Sequence, residues 1–345
     1  MNERIERLRA KLDDPFLVTE PANVRYLSGF QSTNAALFVE DGRVRLFADF
    51  RYAEVGRKVP GVDFVETQRN LLAELAELLS GRVAFEASAL AYAGYETLAG
   101  GGLELVPTRG LVEGLRAVKD EGELDAIRGA AAIADAAFAR LAGERFVGRT
   151  ERELAWRMEE LLHDEGAHGL SFPVVVAAGP TGATPHGKPG DRTMETGETV
   201  VVDAGAVLDG YCSDCTRTFA TGQLPEELGR AYRVCLEAQL AGLAAVRAGV
   251  SGVDADAAAR NVIEEAGFGE AFGHGLGHGV GLVVHEEPAL RRESTDVLEP
   301  ANVVSVEPGI YLSGLGGIRI EDLVIVTDDG AEVLTPFTKE LVTVD

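Results

Sequence analysis

The sequence has little cysteine, few basic residues relative to acidic ones, and no long apolar run. Its 345 residues include three cysteines, Cys212, Cys215 and Cys235, an odd and sparse set that argues against a disulfide framework. Cys212 and Cys215 match the C-x-x-C pattern. On a strand, however, positions i and i+3 point to opposite faces, so we expect neither redox nor zinc chemistry there. No apolar run reaches the roughly 18 residues that a membrane span needs.

The balance of charge excludes a further class of partner. Lysine and arginine number 32 against 56 aspartates and glutamates, which gives a formal net charge of −24. A surface this acidic repels the phosphate backbone of nucleic acids. The opening residues 1–8 mix charged and apolar side chains and lack the continuous apolar segment of a secretory signal. We therefore expect a cytoplasmic protein with no nucleic-acid or membrane partner.

The length and the pattern of elements predict two domains, 1–113 and 114–345. The first alternates short strands with helices and includes a hairpin with its turn at Asp41-Gly42, which predicts an α/β domain with a mixed sheet. The second begins with a predicted helix over 120–141, whose first turn is acidic. Further helices are predicted over 152–165, 226–248 and 253–266, and strands over 172–177, 199–206, 211–219, 303–308 and 318–327.

Two aspartates occupy apolar strands on either side of an Asp-Gly turn. Residues 199–206 and 211–219 form a predicted hairpin, and the midpoint of Asp203 and Asp214 falls inside its turn. In simple register the two aspartates therefore face each other across the ladder. Like charges in that position destabilise a sheet, and aspartate is disfavoured in strand interiors. The pattern favours a cation between them, whereas a bulge or a slipped register would separate them.

A second pair of acids has the same arrangement. The midpoint of Glu307 and Glu321 is Gly314, in the middle of the turn between the predicted strands 303–308 and 318–327. Two such pairs indicate a shared metal centre, in two halves related by a pseudo-twofold. Four carboxylates carry a charge of about −4, which two divalent ions neutralise. Ligation rich in oxygen suits Mn²⁺, Co²⁺, Fe²⁺ or Zn²⁺, and the residues do not choose among them.

Four of the six histidines lie in glycine- or proline-marked segments, three of them between the acidic strands and His186 before the first of these strands. His274 and His278 belong to the segment 273–281, in which every second residue is glycine. Glycine disfavours a helix there, and it lets an extended chain approach a substrate closely. His285 follows this segment, and His186 lies in a proline-marked loop, where an exposed histidine without a catalytic role is the commoner case.

These segments together resemble the pita-bread metallopeptidases, and within them the proline-specific branch of Xaa-Pro dipeptidases (prolidases) and Xaa-Pro aminopeptidases. The matching motifs, in the family's order, are Val202-Asp203-Ala204-Gly205, Asp214-Cys215-Thr216-Arg217-Thr218, His274-Gly275-Leu276-Gly277-His278, His285-Glu286-Glu287-Pro288, Glu307-Pro308-Gly309 and Gly317-Ile318-Arg319-Ile320-Glu321-Asp322. Residues 23–30 and 49–52 resemble the family's N-terminal domain. The resemblance implies a creatinase-like α/β domain followed by a pita-bread catalytic domain with a pseudo-twofold antiparallel sheet.

The resemblance also implies the site residues. The implied ligands of two divalent ions, with Mn²⁺ or Co²⁺ favoured over Zn²⁺ or Fe²⁺, are Asp203, Asp214, His278, Glu307 and Glu321. The implied catalytic side chains are Glu307 again, together with His186, His274, His285 and Arg319. We expect a metal-bridged hydroxide to attack the peptide carbonyl, Glu307 to shuttle the proton, and His285 to donate to the oxyanion. His186 and His274 orient the substrate, and Arg319 holds the ligand carboxylates in place.

The expected function is hydrolysis of Xaa-Pro bonds in small peptides with proline after the first residue, by a dipeptidase. The alternative is an Xaa-Pro aminopeptidase acting on longer peptides. A dipeptidase must bind a free carboxylate beyond the proline, and neither Arg51 nor Lys188 can be assigned to that role. A remoter alternative is a non-catalytic binding protein on the same fold, which the full ligand set opposes because buried carboxylates are costly without metal. The family resemblance implies a homodimer.

Overall fold

The structure is a computed structural model that describes residues 3–345, so Met1 and Asn2 of the charged opening segment lie outside the described residues. The chain divides into two compact units between Arg116 and Ala117, close to the predicted boundary at residue 114. No helix within the described part of the chain is long and apolar enough to cross a membrane.

The first unit is built on a six-stranded mixed sheet in the order β4-β3-β2-β1-β5-β6. Its strands are β1 (Phe16–Val18), β2 (Ala35–Glu40), β3 (Arg43–Asp49), β4 (Asp63–Thr67), β5 (Arg82–Glu86) and β6 (Glu104–Thr108). Its helices are α1 (Glu3–Arg9), α2 (Pro21–Ser28), α3 (Ala53–Gly56), α4 (Leu71–Leu78), α5 (Tyr92–Gly100) and α6 (Leu111–Ala117), which ends at the boundary. The predicted hairpin is confirmed, since Glu40 pairs with Arg43 around a two-residue turn in which Gly42 has a φ of 72°.

The second unit carries four long helices, α7 (Glu121–Leu141), α8 (Glu151–Asp164), α9 (Glu226–Ala245) and α10 (Gly252–Glu265). All four lie where the sequence predicts them. Helix α7 begins with a capping box of Asp120 and Glu123, and α8 with one of Thr150 and Glu153. Each box satisfies N–H groups that the first helical turn cannot pair internally, which explains why both helices begin where they do.

Short and mostly antiparallel strands make up the rest of this unit. They are β7 (Gly169–Leu170), β8 (Val175–Ala178), β9 (Thr199–Asp203), β10 (Ala206–Leu208), β11 (Tyr211–Cys212), β12 (Thr216–Thr221), β13 (Gly277–Gly279), β14 (Glu286–Leu290), β15 (Val303–Val306), β16 (Gly309–Leu312), β17 (Gly316–Arg319), β18 (Asp322–Val326), β19 (Ala331–Val333) and β20 (Thr343–Val344). The sheet orders are β20-β12-β9-β8, β14-β13-β15-β18-β19, β11-β10-β7 and β16-β17. This arrangement of antiparallel sheets under long helices is that of the expected pita-bread domain.

The predicted strands of this unit are broken beside the acidic residues. Asp203 ends β9, and Asp214 lies between β11 and β12. Glu307 lies between β15 and β16, and Glu321 between β17 and β18. At each break the chain passes from one sheet to another. A carboxylate at such a break is released from the regular alternation of a strand and can point into a shared site.

The register of the first acidic hairpin differs from the prediction. Its turn is Asp209-Gly210, with φ of 48° and 81°, the positive values at both positions that a type I′ turn requires. Asp203 therefore pairs with Thr216 rather than with Asp214. The predicted direct pairing is wrong because the turn is centred one residue beyond the midpoint of the two aspartates.

The register of the second acidic hairpin is the predicted one. Val306 pairs with Asp322 in one sheet, and Gly309 pairs with Arg319 in the next. Both pairs imply that Glu307 lies opposite Glu321 in the break between the two sheets.

Candidate metal centre and active site

Five side chains with metal-ligand chemistry converge on one point of the second unit. Ligand oxygens of Asp203, Asp214 and Glu321 all lie within 4.8 Å of one another. His278 joins them through its Nε2 atom, which is 3.7 Å from Asp214 Oδ2 and 3.2 Å from Glu307 Oε1. The structure thus brings together all five residues that the sequence singles out as ligands.

The charges in this cluster oppose one another. Burial raises the pKa of Asp214 well above its usual range, and the charges of Glu321, Asp203 and Glu307 raise it further. Burial likewise raises the pKa of Glu321 well above its usual range, as do its acidic neighbours. For Asp203, burial raises the pKa although the charge of Arg319 opposes the shift. A nearby cation stabilises the ionised form of such carboxylates.

His278 and Glu307 form a pair in which, unlike in the other acids, the ionised forms are favoured. Burial opposes ionisation of both groups, but the hydrogen bond and the charge of His278 outweigh it and hold the pKa of Glu307 at about 2. In turn, the bond to Glu307 raises the pKa of His278 to about 9 against the effect of burial. Glu307 is therefore an ionised carboxylate in a buried site.

Two carboxylate oxygens of the cluster are available to bind a cation. Among residues 3–345, Asp203 Oδ1 and Glu321 Oε1 are buried without a hydrogen-bond partner. An unpaired buried polar atom costs about 1–3 kcal/mol, so such atoms are rarely left in native proteins without a reason. A carboxylate-rich donor set with one imidazole suits two first-row divalent ions, and the residues present therefore fit the expected metal pair.

Arg319 and Thr216 connect the acids to each other. The buried guanidinium of Arg319 donates from Nη2 to Asp203 Oδ2 at 2.5 Å and from Nε to Thr216 Oγ1 at 3.0 Å. Thr216 Oγ1 donates in turn to Glu321 Oε2 at 2.8 Å. Thr216, which sequence reasoning did not assign, thus bridges two predicted ligands through Arg319. The position of Thr216 opposite Asp203 could have identified it, but that position follows only from the correct register of the turn.

Tyr311 is a second residue that the sequence analysis missed. Its hydroxyl lies 2.9 Å from His274 Nε2 and accepts from Arg319 Nη1 at 3.0 Å. Burial raises the pKa of Tyr311 to about 12 and lowers the pKa of His274. Tyr311 lies two residues after Gly309, on the strand that follows Glu307. Alternate residues of an extended chain share one face, so this spacing could have placed Tyr311 on the same face as Glu307.

The remaining predicted histidines lie around the cluster. The ring of His285 meets that of His278 edge to face, with centroids 4.4 Å apart. Burial and the charge of His278 lower the pKa of His285. His186 is exposed and directly follows Pro185, whose carbonyl accepts from Arg319 Nη1 at 3.1 Å. All three histidines thus adjoin the centre, with neutral forms favoured for His274 and His285.

A network of buried charges underlies the acidic strands. The side chain of Arg217 is 2% exposed and donates to Asp322 Oδ1 at 2.9 Å and to the carbonyl oxygen of Thr335 at 2.8 Å. The other oxygen of Asp322 accepts from Gln239 Nε2 at 2.9 Å and from Lys339 Nζ at 2.5 Å. Asp322 directly follows Glu321, so this network fixes the backbone from which that predicted metal ligand projects.

Replacing Tyr311 by phenylalanine is expected to lower kcat/KM about tenfold, because groups that orient ligands and catalytic side chains are worth about 10–100-fold. The change removes a hydroxyl that bonds both His274 and Arg319. Steady-state kinetics on a proline dipeptide measures the effect. The matched control is Tyr232→Phe, whose hydroxyl donates to the Lys339 carbonyl at 2.9 Å. Equal losses in both variants would show that Tyr311 contributes only stability.

Comparison with known proteins places this site in a family. Residues 125–328 match metallopeptidase family M24, and residues 4–118 match the creatinase/prolidase N-terminal domain. The chain belongs to the M24 metallopeptidases, with the two-domain organisation of their creatinase and prolidase members. The expectation of a metal-dependent enzyme is confirmed, and the alternative of a non-catalytic binding protein loses its support.

Similar proteins cover the whole chain. An Xaa-Pro dipeptidase of Pyrococcus furiosus is 34% identical over 353 residues, 99% of this chain and 100% of that protein. The solved structure of an Xaa-Pro dipeptidase from Bacillus anthracis is 40% identical and superposes with a TM-score of 0.95, over 99% of each chain. An X-Pro aminopeptidase from Thermotoga maritima is 33% identical, with a TM-score of 0.87 over 98% of this chain and 100% of that one.

Proposed function

We propose that this metallopeptidase hydrolyses Xaa-Pro bonds, and that it acts as a dipeptidase. The observation that carries the proposal is the convergence of Asp203, Asp214 and Glu321 oxygens within 4.8 Å, beside the His278–Glu307 pair. The dipeptidases of Bacillus anthracis and Pyrococcus furiosus, similar over the full length, support the choice of substrate.

The metal pair is the first part of the proposal. Asp203, Asp214, His278, Glu307 and Glu321 would hold it, and Mn²⁺ or Co²⁺ are the first candidates, with Zn²⁺ or Fe²⁺ as alternatives. When bound, the pair supplies an activated water at neutral pH and polarises the peptide carbonyl.

The protein's own groups then act on the substrate. Glu307, ionised and partly buried, accepts a proton from the attacking water and returns it to the leaving proline nitrogen. His285, next to His278, donates to the oxygen on which negative charge develops. His274 and His186 orient the peptide. Arg319 keeps Asp203 in place and, through Thr216, Glu321.

The test is hydrolysis of Ala-Pro and of Ala-Pro-Ala, side by side, by metal-stripped protein titrated with Mn²⁺, Co²⁺ and Zn²⁺. Cleavage of Ala-Pro alone establishes the dipeptidase, and the metal giving the highest rate becomes the leading cofactor. Cleavage of the tripeptide reassigns the chain as an aminopeptidase, the activity named for the similar Thermotoga protein. Failure on both substrates with metal bound refutes the proline specificity.

Metal loading is expected to stabilise the protein more as the pH rises from 6.5 to about 9. Without metal, Asp214 and Glu321 have raised pKa values, and that of His278 is raised from 6.5 to about 9. A group with a raised pKa stabilises the fold while protonated, and this contribution is lost as the pH rises through the folded-state value. Bound cations offset that loss. Calorimetry of Mn²⁺-loaded and stripped protein measures the difference in Tm, and a difference that stays constant or shrinks with pH contradicts the assignment.

We further propose a cytoplasmic homodimer, on the grounds of the family to which the chain belongs. Analytical ultracentrifugation of the metal-loaded protein tests the oligomeric state. A sedimentation coefficient that corresponds to a mass near 36.5 kDa, that of one chain, would refute the dimer.

A further inference from the structure

Glu151 is a buried carboxylate that neither the helix nor the metal centre accounts for. It is the first residue of α8 and is 1% exposed. The N-terminus of α8 is already capped by Thr150 and Glu153, which exchange side-chain and backbone hydrogen bonds. A carboxylate is tolerated at a helix N-terminus because of the helix dipole. Burial of a second acidic group beside Glu153 still needs partners that satisfy it.

The partners of Glu151 lie at the two ends of one loop, residues 178–190. Oε1 accepts from the backbone N–H of Ala178 at 3.0 Å and from the hydroxyl of Thr181. Oε2 accepts from the backbone N–H of Gly190 at 3.0 Å. The two oxygens of one side chain therefore join the start of the loop to its end. We call this set of contacts the Glu151 clamp.

The loop has little internal structure of its own. After the short 3₁₀ turn Gly179–Ala183, residues 184–190 of the described chain form neither helix nor strand. Its prolines have no backbone N–H, and the bonds from Thr184 N–H to the Thr181 carbonyl at 3.1 Å and from Gly187 N–H to the Thr184 carbonyl at 3.0 Å each close a single turn. The far end is anchored by the N–H of Arg152, which donates to the Gly190 carbonyl at 3.1 Å. The clamp is what ties that anchored end to the beginning of the loop.

The loop carries His186 to the active site. The carbonyl of Pro185, the preceding residue, accepts from Arg319 Nη1 at 3.1 Å. At its start the loop packs so closely on β17 that a Cβ on Gly317 would lie 1.9 Å from the Gly182 carbonyl oxygen. The position of His186 is thus set by Arg319 in the middle of the loop and by Glu151 at its ends.

We propose that Glu151 is a positioning residue of the active site, whose carboxylate fixes the place at which His186 meets the substrate. This inference rests on the proposed function, because it assumes that His186 orients the peptide. The positioning role requires a carboxylate, since all three groups that bond the Glu151 side chain are hydrogen-bond donors. A glutamine would present an NH₂ group to at least one of them.

The kinetic test compares Glu151→Gln with Glu153→Gln in Mn²⁺-loaded protein acting on Ala-Pro. The control is the same chemical change two residues away, in an exposed glutamate whose side chain accepts its hydrogen bonds from Thr150. Glu151→Gln should lower kcat/KM about 10–100-fold with unchanged metal content, as for other groups that orient active-site residues. Glu153→Gln, an exposed change, should remain within about twofold of the native value. Equal kcat/KM in the two variants overturns the positioning role.

Two spectroscopic measurements test the clamp without relying on activity. Hydrogen exchange of residues 178–190 should be faster in Glu151→Gln than in Glu153→Gln, because loss of the clamp lowers the local opening free energy. With only six histidines in the chain, the His186 imidazole resonances can be assigned by a His186→Gln variant, and they should shift or broaden. Unchanged exchange and unchanged resonances overturn the proposal.

Three outcomes separate the clamp from the proposed function. Inactivity of the native protein on Ala-Pro would refute the function, and the clamp would then be judged by exchange and the His186 resonances alone. Faster exchange with native kcat/KM would overturn positioning while leaving the function intact. If Glu151→Gln does not fold, Thr181→Val removes one of the clamp's donors and should change exchange and kcat/KM in the same direction.

Discussion

Replacement of Glu307 by glutamine is expected to lower kcat on a proline dipeptide by about 10²–10⁴-fold, the range for loss of a general acid–base group. The hydrogen bond and the charge of His278 outweigh burial and hold the pKa of Glu307 at about 2, so the native side chain is ionised at neutral pH, which is the form that a proton acceptor requires. Glutamine has nearly the same shape but cannot accept and return that proton. Steady-state kinetics with metal content measured on the same sample gives the result.

The matched control for this variant is Glu265→Gln, an exposed glutamate at the end of α10. It should keep native kinetics. A Glu307→Gln protein that binds its full complement of metal and keeps a near-native kcat would show that another group moves the proton. If the variant binds less metal, titration with excess Mn²⁺ separates the two roles, because only the ligand role is restored by mass action.

Replacement of Arg217 by methionine is expected to lower the free energy of unfolding by about 3–5 kcal/mol, the cost of removing one partner from a buried ion pair. The guanidinium is 2% exposed and bonds Asp322 at 2.9 Å as well as several backbone carbonyls. Methionine fills similar space but leaves those acceptors without a donor. Urea denaturation of metal-loaded protein, followed by circular dichroism, measures the change.

Arg128→Met is the control for Arg217. Its guanidinium is 36% exposed and pairs with Glu332 at 3.1 Å, and exposed ion pairs contribute about 0–1 kcal/mol. Similar losses in the two variants would mean that the buried network around Asp322 is not what stabilises the strand leading from Glu321.

The chemistry of the site could be predicted from the sequence, but the geometry of the first hairpin could not. Asp203 and Asp214 were identified because carboxylates are rare on apolar strands. Their pairing was wrong because a one-residue error in the centre of the turn shifts the ladder by two residues. Glu307 and Glu321 were placed correctly, since the pairs on both sides keep one register across the break.

Other residues could not be predicted because their roles depend on distant contacts. Thr216 and Glu151 are ordinary residues in their local sequence. Thr216 gains a role when Glu321, more than a hundred positions later, comes within 2.8 Å. In the sequence, Glu151 is an ordinary acidic residue in the first turn of a helix. Only its hydrogen bond from Gly190, at the end of the loop, shows why it is buried. Local patterns contain no signal for such contacts.

The breaks that hold the four acids have an evolutionary consequence. The sheets pair through their backbones up to these breaks, and the pairing does not depend on the acidic side chains themselves. Neutral replacements of Asp214 or Glu321 would therefore remove buried like charges and leave the sheets intact, so the metal-free protein would gain stability as it lost activity. Substitutions that inactivate the enzyme would then be favoured by stability, and these acids persist only where selection for activity opposes that gain.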